Sequence, residues 1–289
     1  MKLKANAKIN LLLDVTGVKK NGYHRLYTVM QSVSLYDVLT VEKTAGEEIV
    51  ITCTDENVPT DSKNIVYKAA QRFYKELNIT ENKGLKIHIE KNIPSLAGLG
   101  GGSSDGAAVF VALNEFYGFP FSERQLIFIS ADVGADIPFI ISGGTALCED
   151  IGSVVAPLPY IDGCYIVIVR PEGGSSTVEA YREIDNNKAI RHPKGVQMTE
   201  EILDGNFFEA FRYCANVFEQ VIEVPKRVDI KDIMNRCGAK ASCMSGSGSA
   251  VYGIFKEKED ALKCEKELKK LFEKVYLCEP VKKGVEKIS

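Results

Sequence analysis

Pro94-Ser95-Leu96-Ala97-Gly98-Leu99-Gly100-Gly101-Gly102-Ser103-Ser104-Asp105 sets four glycines and the adjacent pair Ser103-Ser104 between a strand-like and a helix-like segment. Upstream, Leu85, Ile87 and Ile89 alternate with Lys86, His88 and Glu90, the period of a half-buried strand, and Pro94 ends it. Downstream, Ala107, Ala108, Val111, Ala112, Leu113 and Phe116 form one helical face, with Ser103 to Asp105 as N-cap candidates ahead of it. Glycines let the backbone approach an anion, and the free N–H groups and positive dipole end of a helix attract one. The run reads as a phosphate cradle; a glycine-rich turn without function is the alternative the residues leave open. It lacks the Gly-Lys-Ser/Thr ending of a Walker A loop, and Ser103 occupies the third glycine position of a dinucleotide fingerprint.

The chain has 289 residues, which suggests about two domains and permits a large buried core. Its 45% hydrophobic and 26% charged residues are ordinary for a globular protein. A net charge of -3 gives no electrostatic reason to bind nucleic acid or an anionic membrane, so small-molecule partners are expected. The first residues lack an apolar signal core, and no apolar run approaches the roughly 20 residues that span a bilayer. A cytoplasmic protein is the expectation. Eight scattered cysteines without a Cys-x-x-Cys pair read as buried or inert thiols, and His24, His88 and His192 are too dispersed for a metal motif. No Gly-x-Ser-x-Gly elbow supports serine hydrolysis.

Residues 3–13 alternate, placing Lys4, Asn6, Lys8 and Asn10 on a polar face suited to lining a cleft. Further strands are expected over 28–41 and 49–53, then a helix over 62–77 with Ile65, Val66, Ala69, Ala70, Phe73 and Leu77 inward. Strands before the first helix favour a mixed α+β layer arrangement over an alternating parallel sheet. Glycines, prolines and short apolar pieces over 143–159 suggest a division near residue 155, giving domains 1–155 and 156–289. The second half carries expected helices at 178–185 and 207–218, a strand at 250–255, and a βαβ-like end with a helix at 259–275 and a strand at 276–281.

A second glycine-serine cluster, Met244-Ser245-Gly246-Ser247-Gly248-Ser249, precedes the strand at 250–255 and is a candidate second contact for the same ligand, or a plain strand-entry loop. Between the clusters, Asp132-Val133-Gly134-Ala135-Asp136-Ile137-Pro138 offers two carboxylates four residues apart. Either carboxylate is a candidate base, against the commoner use of a lone Asp before such a turn as a cap or Asx-turn, and Asp136 gains weight only beside Lys8.

Together these pieces resemble the GHMP kinase superfamily, whose signature is a Pro-x-x-x-Gly-Leu-Gly-x-Ser-Ser-like loop. Lys4-Ala5-Asn6-Ala7-Lys8-Ile9-Asn10-Leu11, Asn21-Gly22-Tyr23-His24, the loop Gly98 to Ser104, and Gly134-Ala135-Asp136-Ile137-Pro138-Phe139 are similar, in order and spacing, to its branch acting on cytidine-diphosphate-linked methylerythritol. The resemblance implies a two-domain α+β fold, with an N-terminal mixed β-sheet/helix nucleotide-binding domain and a C-terminal ferredoxin-like α/β domain. It implies ATP-dependent, Mg²⁺-assisted phosphorylation of the 2-hydroxyl of that substrate, in non-mevalonate isoprenoid synthesis. It makes Lys8 and Asp136 the catalytic pair. ATP contacts would come from Pro94, Leu96, Ala97, Gly98, Leu99, Gly100, Gly101, Gly102, Ser103 and Ser104, with Asn64 and Lys91 beside them. Ser104 is also the candidate Mg²⁺ ligand. Substrate contacts would come from Asn10, from Tyr23, His24 and, after Ser176-Thr177, Tyr181 around the base, from Thr177, and from Gly246, Ser247 and Gly248.

Two departures stand out: Gly106 follows Asp105 where the superfamily's loop continues with alanine, and Ser249-Ala250 replaces a Pro/Ala-Thr ending. The competing readings are a mevalonate- or homoserine-type kinase, disfavoured by Tyr23-His24, and a non-catalytic nucleotide sensor of the same fold, disfavoured by the intact Lys8 and Asp136. An NAD-linked oxidoreductase is rejected by the missing third glycine.

Overall fold

The computed structural model describes residues 1–173 and 177–289. Strands β1 (Lys2–Val18) and β2 (His24–Lys43) pair antiparallel, with register shifts at Asn6/Ala7, Asn10/Leu12 and Val15/Gly17. Each shift resets which side chains face which layer. The apolar residues of β1 therefore feed three cores in turn: Leu3 and Ala5, then Ala7, Ile9, Leu11 and Leu12, then Leu13 and Val15. The polar face is buried as well at Asn6, Lys8 and Asn10, which obliges each side chain to find a partner.

β3 (Ile49–Cys53), α1 (Ile65–Glu76) and β4 (Leu85–Glu90) make a βαβ unit whose strands pair in parallel, and β4 pairs antiparallel with β2. The expected helix at 62–77 begins only at Ile65, because the Asn64 side chain accepts the Val66 N–H at 2.9 Å and caps it.

α2 (Gly101–Phe116) starts two residues before Ser103, so Ser103 to Asp105 lie inside the helix rather than capping it. Gly100 fills the cap position in a left-handed conformation, φ 72°, that needs no side-chain acceptor. Small residues let α2 sit buried on nearly every side, and its glycine at 106 has a packing cause. A Cβ there would lie 3.1 Å from Ile137 Cδ1 and 3.5 Å from Ile65 Cγ1.

α3 (Glu123–Ser130) opens on a Ser122/Gln125 capping box. α4 (Ile137–Ser142), β5 (Thr145–Asp150) and β6 (Val154–Pro157) follow, with β5 on β2 and β6 on β5.

β7 (Tyr165–Val169) opens a second sheet, followed by α5 (Thr177–Asn186), α6 (Gly195–Leu203), α7 (Phe207–Ala210) and β8 (Ala215–Asn216). The single helix expected over 207–218 is not formed. Two 3₁₀ turns, Phe211–Tyr213 and Val217–Gln220, flank β8, which pairs in parallel with Leu12 and Leu13. Successive helical turns bury Ala210, Phe211, Val217 and Phe218 in a pattern that mimics one helix.

α8 (Arg227–Arg236), β9 (Ala241–Met244), β10 (Val251–Phe255), α9 (Lys258–Lys269) and β11 (Val275–Cys278) complete a βαββαβ, ferredoxin-like layer in the order β11-β7-β10-β9. All its pairings are antiparallel, so β10 and β11 run parallel with β7 between them, a split form of the expected βαβ end. α9 stops at Lys269 and β11 at Cys278, short of the expected 275 and 281.

β12 (Val285–Lys287) returns to pair with Leu3 to Ala5 of β1. With β8 it carries residues beyond 155 into the first sheet, and a shared core joins Ile9 and Leu99 to Ile168 and Tyr252. All eight cysteines are free, six of them buried, and burial pushes the Cys164, Cys214 and Cys278 thiols up to about 12. No described helix is long and apolar enough to cross a membrane.

Gly106→Val should lower stability by about 1–3 kcal/mol through overpacking against Ile137 and Ile65, read as a lower urea midpoint at unchanged m-value. A wild-type midpoint would show that the α2–α4 contact yields freely.

Candidate active site

Two glycine loops meet backbone to backbone. Gly98, φ 76°, lies so close to the second loop that a Cβ on it would fall 2.1 Å from the Ser245 carbonyl oxygen. Ala250 N–H donates to the Ala97 carbonyl at 3.0 Å, and the Ser245 hydroxyl to the Gly98 carbonyl at 2.8 Å. Asn216 Nδ2 supports the second loop from behind, donating to the Met244 and Gly246 carbonyls.

On one side of this junction an open groove of about 270 Å³ is lined by Ile65, Lys91, Pro94 and the run 95–103. Ser104 N–H is the first amide of α2 to bond back, to the Gly100 carbonyl at 2.8 Å, so those of Gly101, Gly102 and Ser103 precede any helical acceptor. On the other side lies a cleft of about 570 Å³ lined by Lys8, Asn10, Thr28, Asp136, Arg170, Thr177, Tyr181, Phe218 and Gly246 to Gly248, among others. Groove and cleft share Leu96 and Gly98.

Lys8 and Asp136 meet at that junction. Lys8 Nζ stands 3.4 Å from Asp136 Oδ2 and donates to Asn10 Oδ1 at 2.8 Å. The Lys8 side chain is 4% exposed and that of Asp136 is 28% exposed, so the carboxylate opens to the cleft while the ammonium is enclosed. Asp136 is the N-cap residue of α4 but makes no side-chain cap bond, which removes the capping alternative and leaves its carboxylate available. Asp132 faces outward instead, 3.4 Å from Arg72 Nε.

The Asn10 amide is oriented by its neighbours. Oδ1 also accepts the Gly246 N–H at 2.9 Å, while Nδ2 donates to Thr28 Oγ1, whose own proton goes to the Leu12 carbonyl at 2.6 Å. Asn10 thus ties Lys8 to the second glycine loop. Thr28, Ser245 and Asn216 complete this frame. Sequence reasoning flagged Ser245 only as part of the second glycine-serine cluster and missed Thr28 and Asn216, because each acts through contacts far away in the chain.

Thr177 Oγ1 and Ser247 Oγ lie 3.0 Å apart at the cleft mouth; Ser176 is outside the described residues. The Tyr181 ring packs edge-on to Phe218 at 5.1 Å, and its hydroxyl is pushed up to about 12 by burial first and by the Asp136 charge second. The base sandwich expected from Tyr23, His24 and Tyr181 is not present. His24 stacks directly on Tyr181 at 4.3 Å and its Nε2 sits 2.9 Å from Asp185 Oδ1. A base between two rings needs about 7 Å, twice the carbon contact distance. Tyr23 is 61% exposed on the preceding turn and does not line the cleft.

Three further expected contacts are engaged within the fold. The Ser104 hydroxyl is buried and donates to the Asn6 carbonyl at 2.7 Å, facing away from the groove, so it is not poised as a metal ligand. Ser103 is the hydroxyl residue of α2 that lines the groove. Asn64 is committed to its cap and to the Pro59 carbonyl. Lys91 reaches the groove wall, but its ammonium is held by Asp37 and, at 2.8 Å, by Asp105.

Asp37 and Asp105 share that single ammonium. Asp37 also accepts the Asn92 and Ile93 N–H groups at 2.6 and 2.8 Å, whereas Asp105 Oδ1 is buried without a partner. Burial holds the Asp105 carboxyl up at about 8 despite Lys91. An acid raised in the folded state keeps a proton that the unfolded chain releases near 3.8, so stability falls as pH rises from about 4 to about 8. Asp105→Asn should flatten that decline, read by urea unfolding at pH 5, 6.5 and 8. Parallel pH slopes for variant and wild type would mean that Asp105 is ionised throughout.

The family profiles described as GHMP kinases N terminal domain and GHMP kinases C terminal match residues 64–144 and 205–274. A 4-diphosphocytidyl-2-C-methyl-D-erythritol kinase from Caldicellulosiruptor bescii is 43% identical over 96% of this chain and 97% of its own length. Another of the same name, from Clostridium acetobutylicum, is 40% identical over 97% of this chain and 100% of its own length. The crystal structure of a 4-(cytidine 5'-diphospho)-2C-methyl-D-erythritol kinase superimposes with a TM-score of 0.78 at 27% identity, covering 97% of this chain and 99% of that one. A homoserine kinase from Cytophaga hutchinsonii reaches 0.77 at 20% identity, over 99% and 96%, which shows the shared fold alone. Profiles over both halves and close relatives over nearly the whole length make this chain an ATP-dependent small-molecule kinase that belongs to the 4-diphosphocytidyl-2-C-methyl-D-erythritol kinase family of the GHMP kinases.

Proposed function

We propose that the chain transfers the γ-phosphoryl group of ATP to the 2-hydroxyl of 4-diphosphocytidyl-2-C-methyl-D-erythritol, with ATP phosphates in the glycine-loop groove and the acceptor in the adjoining cleft. The observation that carries this reading is the Lys8–Asp136 contact where the two spaces join. Asp136 takes the hydroxyl proton as the acceptor oxygen bonds to the γ-phosphorus and the bond to the ADP oxygen breaks. Lys8 keeps the carboxylate ionised and offsets charge on the transferring group. Asn10 acts through Lys8, fixing the ammonium rather than touching the acceptor. The first-turn amides of α2 face the donor phosphates.

Mg²⁺ fits this site as a passenger on ATP. Among the described residues no cluster of three or more His, Cys, Asp or Glu side chains forms a cage, and Ser103 supplies the hydroxyl at the groove. Mg²⁺ characteristically keeps waters and binds through nucleotide phosphates, where it neutralises their charge. The cytosine lies against the wall of Leu13, Leu26, Tyr181 and Phe218, with His24 backing Tyr181. Free thiols and the absence of any disulfide among the described residues support a cytoplasmic setting.

Asp136→Asn and Lys8→Ala should each nearly abolish turnover while an ATP analogue still binds, and the double variant should lose little more, because groups acting as a unit are not additive. Near-normal turnover of Asp136→Asn would end the assignment of the base. Tyr181→Ala should raise the acceptor Michaelis constant by roughly ten- to a hundredfold, the scale of one base–aromatic stack. An unchanged constant would move the base elsewhere. ATP consumption with the cytidine diphosphate substrate, mevalonate and homoserine side by side tests the acceptor itself, and activity with either of the latter two alone would overturn it.

A further inference from the structure

The buried ammonium groups around the site have partners: Lys8 has Asp136 and Asn10, and Lys91 has Asp37 and Asp105. Arg170 does not. It is the residue after β7, fixed by its backbone N–H to the Lys274 carbonyl at 2.9 Å. Its Nε is buried without a hydrogen-bond partner, and its guanidinium enters no ion pair among the described residues. The side chain lines the cleft and also a neighbouring pocket of about 350 Å³, where Glu172 and Glu273 lie without pairing to it.

Lys8, Asp136 and Arg170 are the charged residues lining the cleft, and the first two offset each other, so its net positive charge is supplied by Arg170. A buried N–H left unpaired is costly, and a guanidinium fork matches phosphate oxygens in pairs. Arg170 does not line the glycine-loop groove but sits with Gly173, Thr177 and the 246–248 loop on the acceptor side. We infer that Arg170 is a specificity residue that binds the diphosphate linkage of the acceptor, so that the cleft selects nucleoside diphosphates over nucleosides. The choice of acceptor rests on the function proposed above.

The test is calorimetric titration of wild type, Arg170→Met and Arg170→Lys with CDP, CMP and cytidine, and separately with an ATP analogue. Circular dichroism checks that each variant is folded. Wild type should prefer CDP to cytidine, and Arg170→Met should lose about ten- to a hundredfold in CDP affinity with cytidine and ATP-analogue affinities within twofold. Arg170→Lys should fall between, keeping the charge without the fork, and decides the matter if the Met variant does not fold. A wild-type ratio of CDP to cytidine affinity in the folded variants would overturn the inference, as would a loss confined to the ATP analogue. These ratios are read without turnover. Failure of the acceptor reading appears separately, as wild-type inactivity on the cytidine diphosphate substrate.

Discussion

Contact between two polypeptide backbones at Gly98 and Ser245 is the constraint on which the site depends. Strands from two different sheets deliver these loops, and no side chain separates them. With the loops in direct contact, the glycine-loop groove and the adjoining cleft share Leu96 and Gly98 as a common wall. Under the proposed function that sharing suits phosphoryl transfer, in which the reacting oxygen and phosphorus must approach closely in line. A larger residue at Gly98 would push the two loops apart. The core shared between the halves holds the contact rigid from below.

Electrostatics at the junction follow from unequal burial. Enclosure of Lys8 raises the value of each interaction its ammonium makes, and those interactions are with Asn10 and Asp136. Asp136 keeps solvent on one side, which suits the proton exchange proposed for it. Lys91 shows the opposite arrangement. It is closed off by the buried side chains of Asp37 and Asp105, the latter on the first turns of α2.

The N-terminal half was legible where chemistry and periodicity coincide in a short window. The alternation of Leu3 to Leu13 located β1, and the glycine run located the groove. Asp136 needed the resemblance to be separated from Asp132, four residues earlier, because only the fold turns one carboxylate inward and ties the other to Arg72. The helix expected at 207–218 failed because β8 is captured by Leu12 and Leu13, some two hundred residues away, a pairing no local window contains. The cap of α2 failed for a subtler reason: a left-handed glycine substitutes for the serine that propensity favours. Tyr23 and His24 were paired through the resemblance alone, yet neighbours at a strand entry point in different directions, and one became exposed while the other met Tyr181.

The pairing of β12 with β1 has a bearing on how the molecule is made. One edge of the strand carrying Lys8 is covered by residues 285–287 at one end and 215–216 at the other, and Asn10 is clasped by Gly246. In synthesis this strand therefore precedes the segments that cover its edge by some two hundred residues or more. Through most of synthesis that strand presents open backbone groups, the condition that invites wrong pairing with other chains. Lys2 and Lys4, half-buried in the folded chain, put charge on the part of the strand that β12 later pairs, and charge there discourages wrong pairing until β12 arrives.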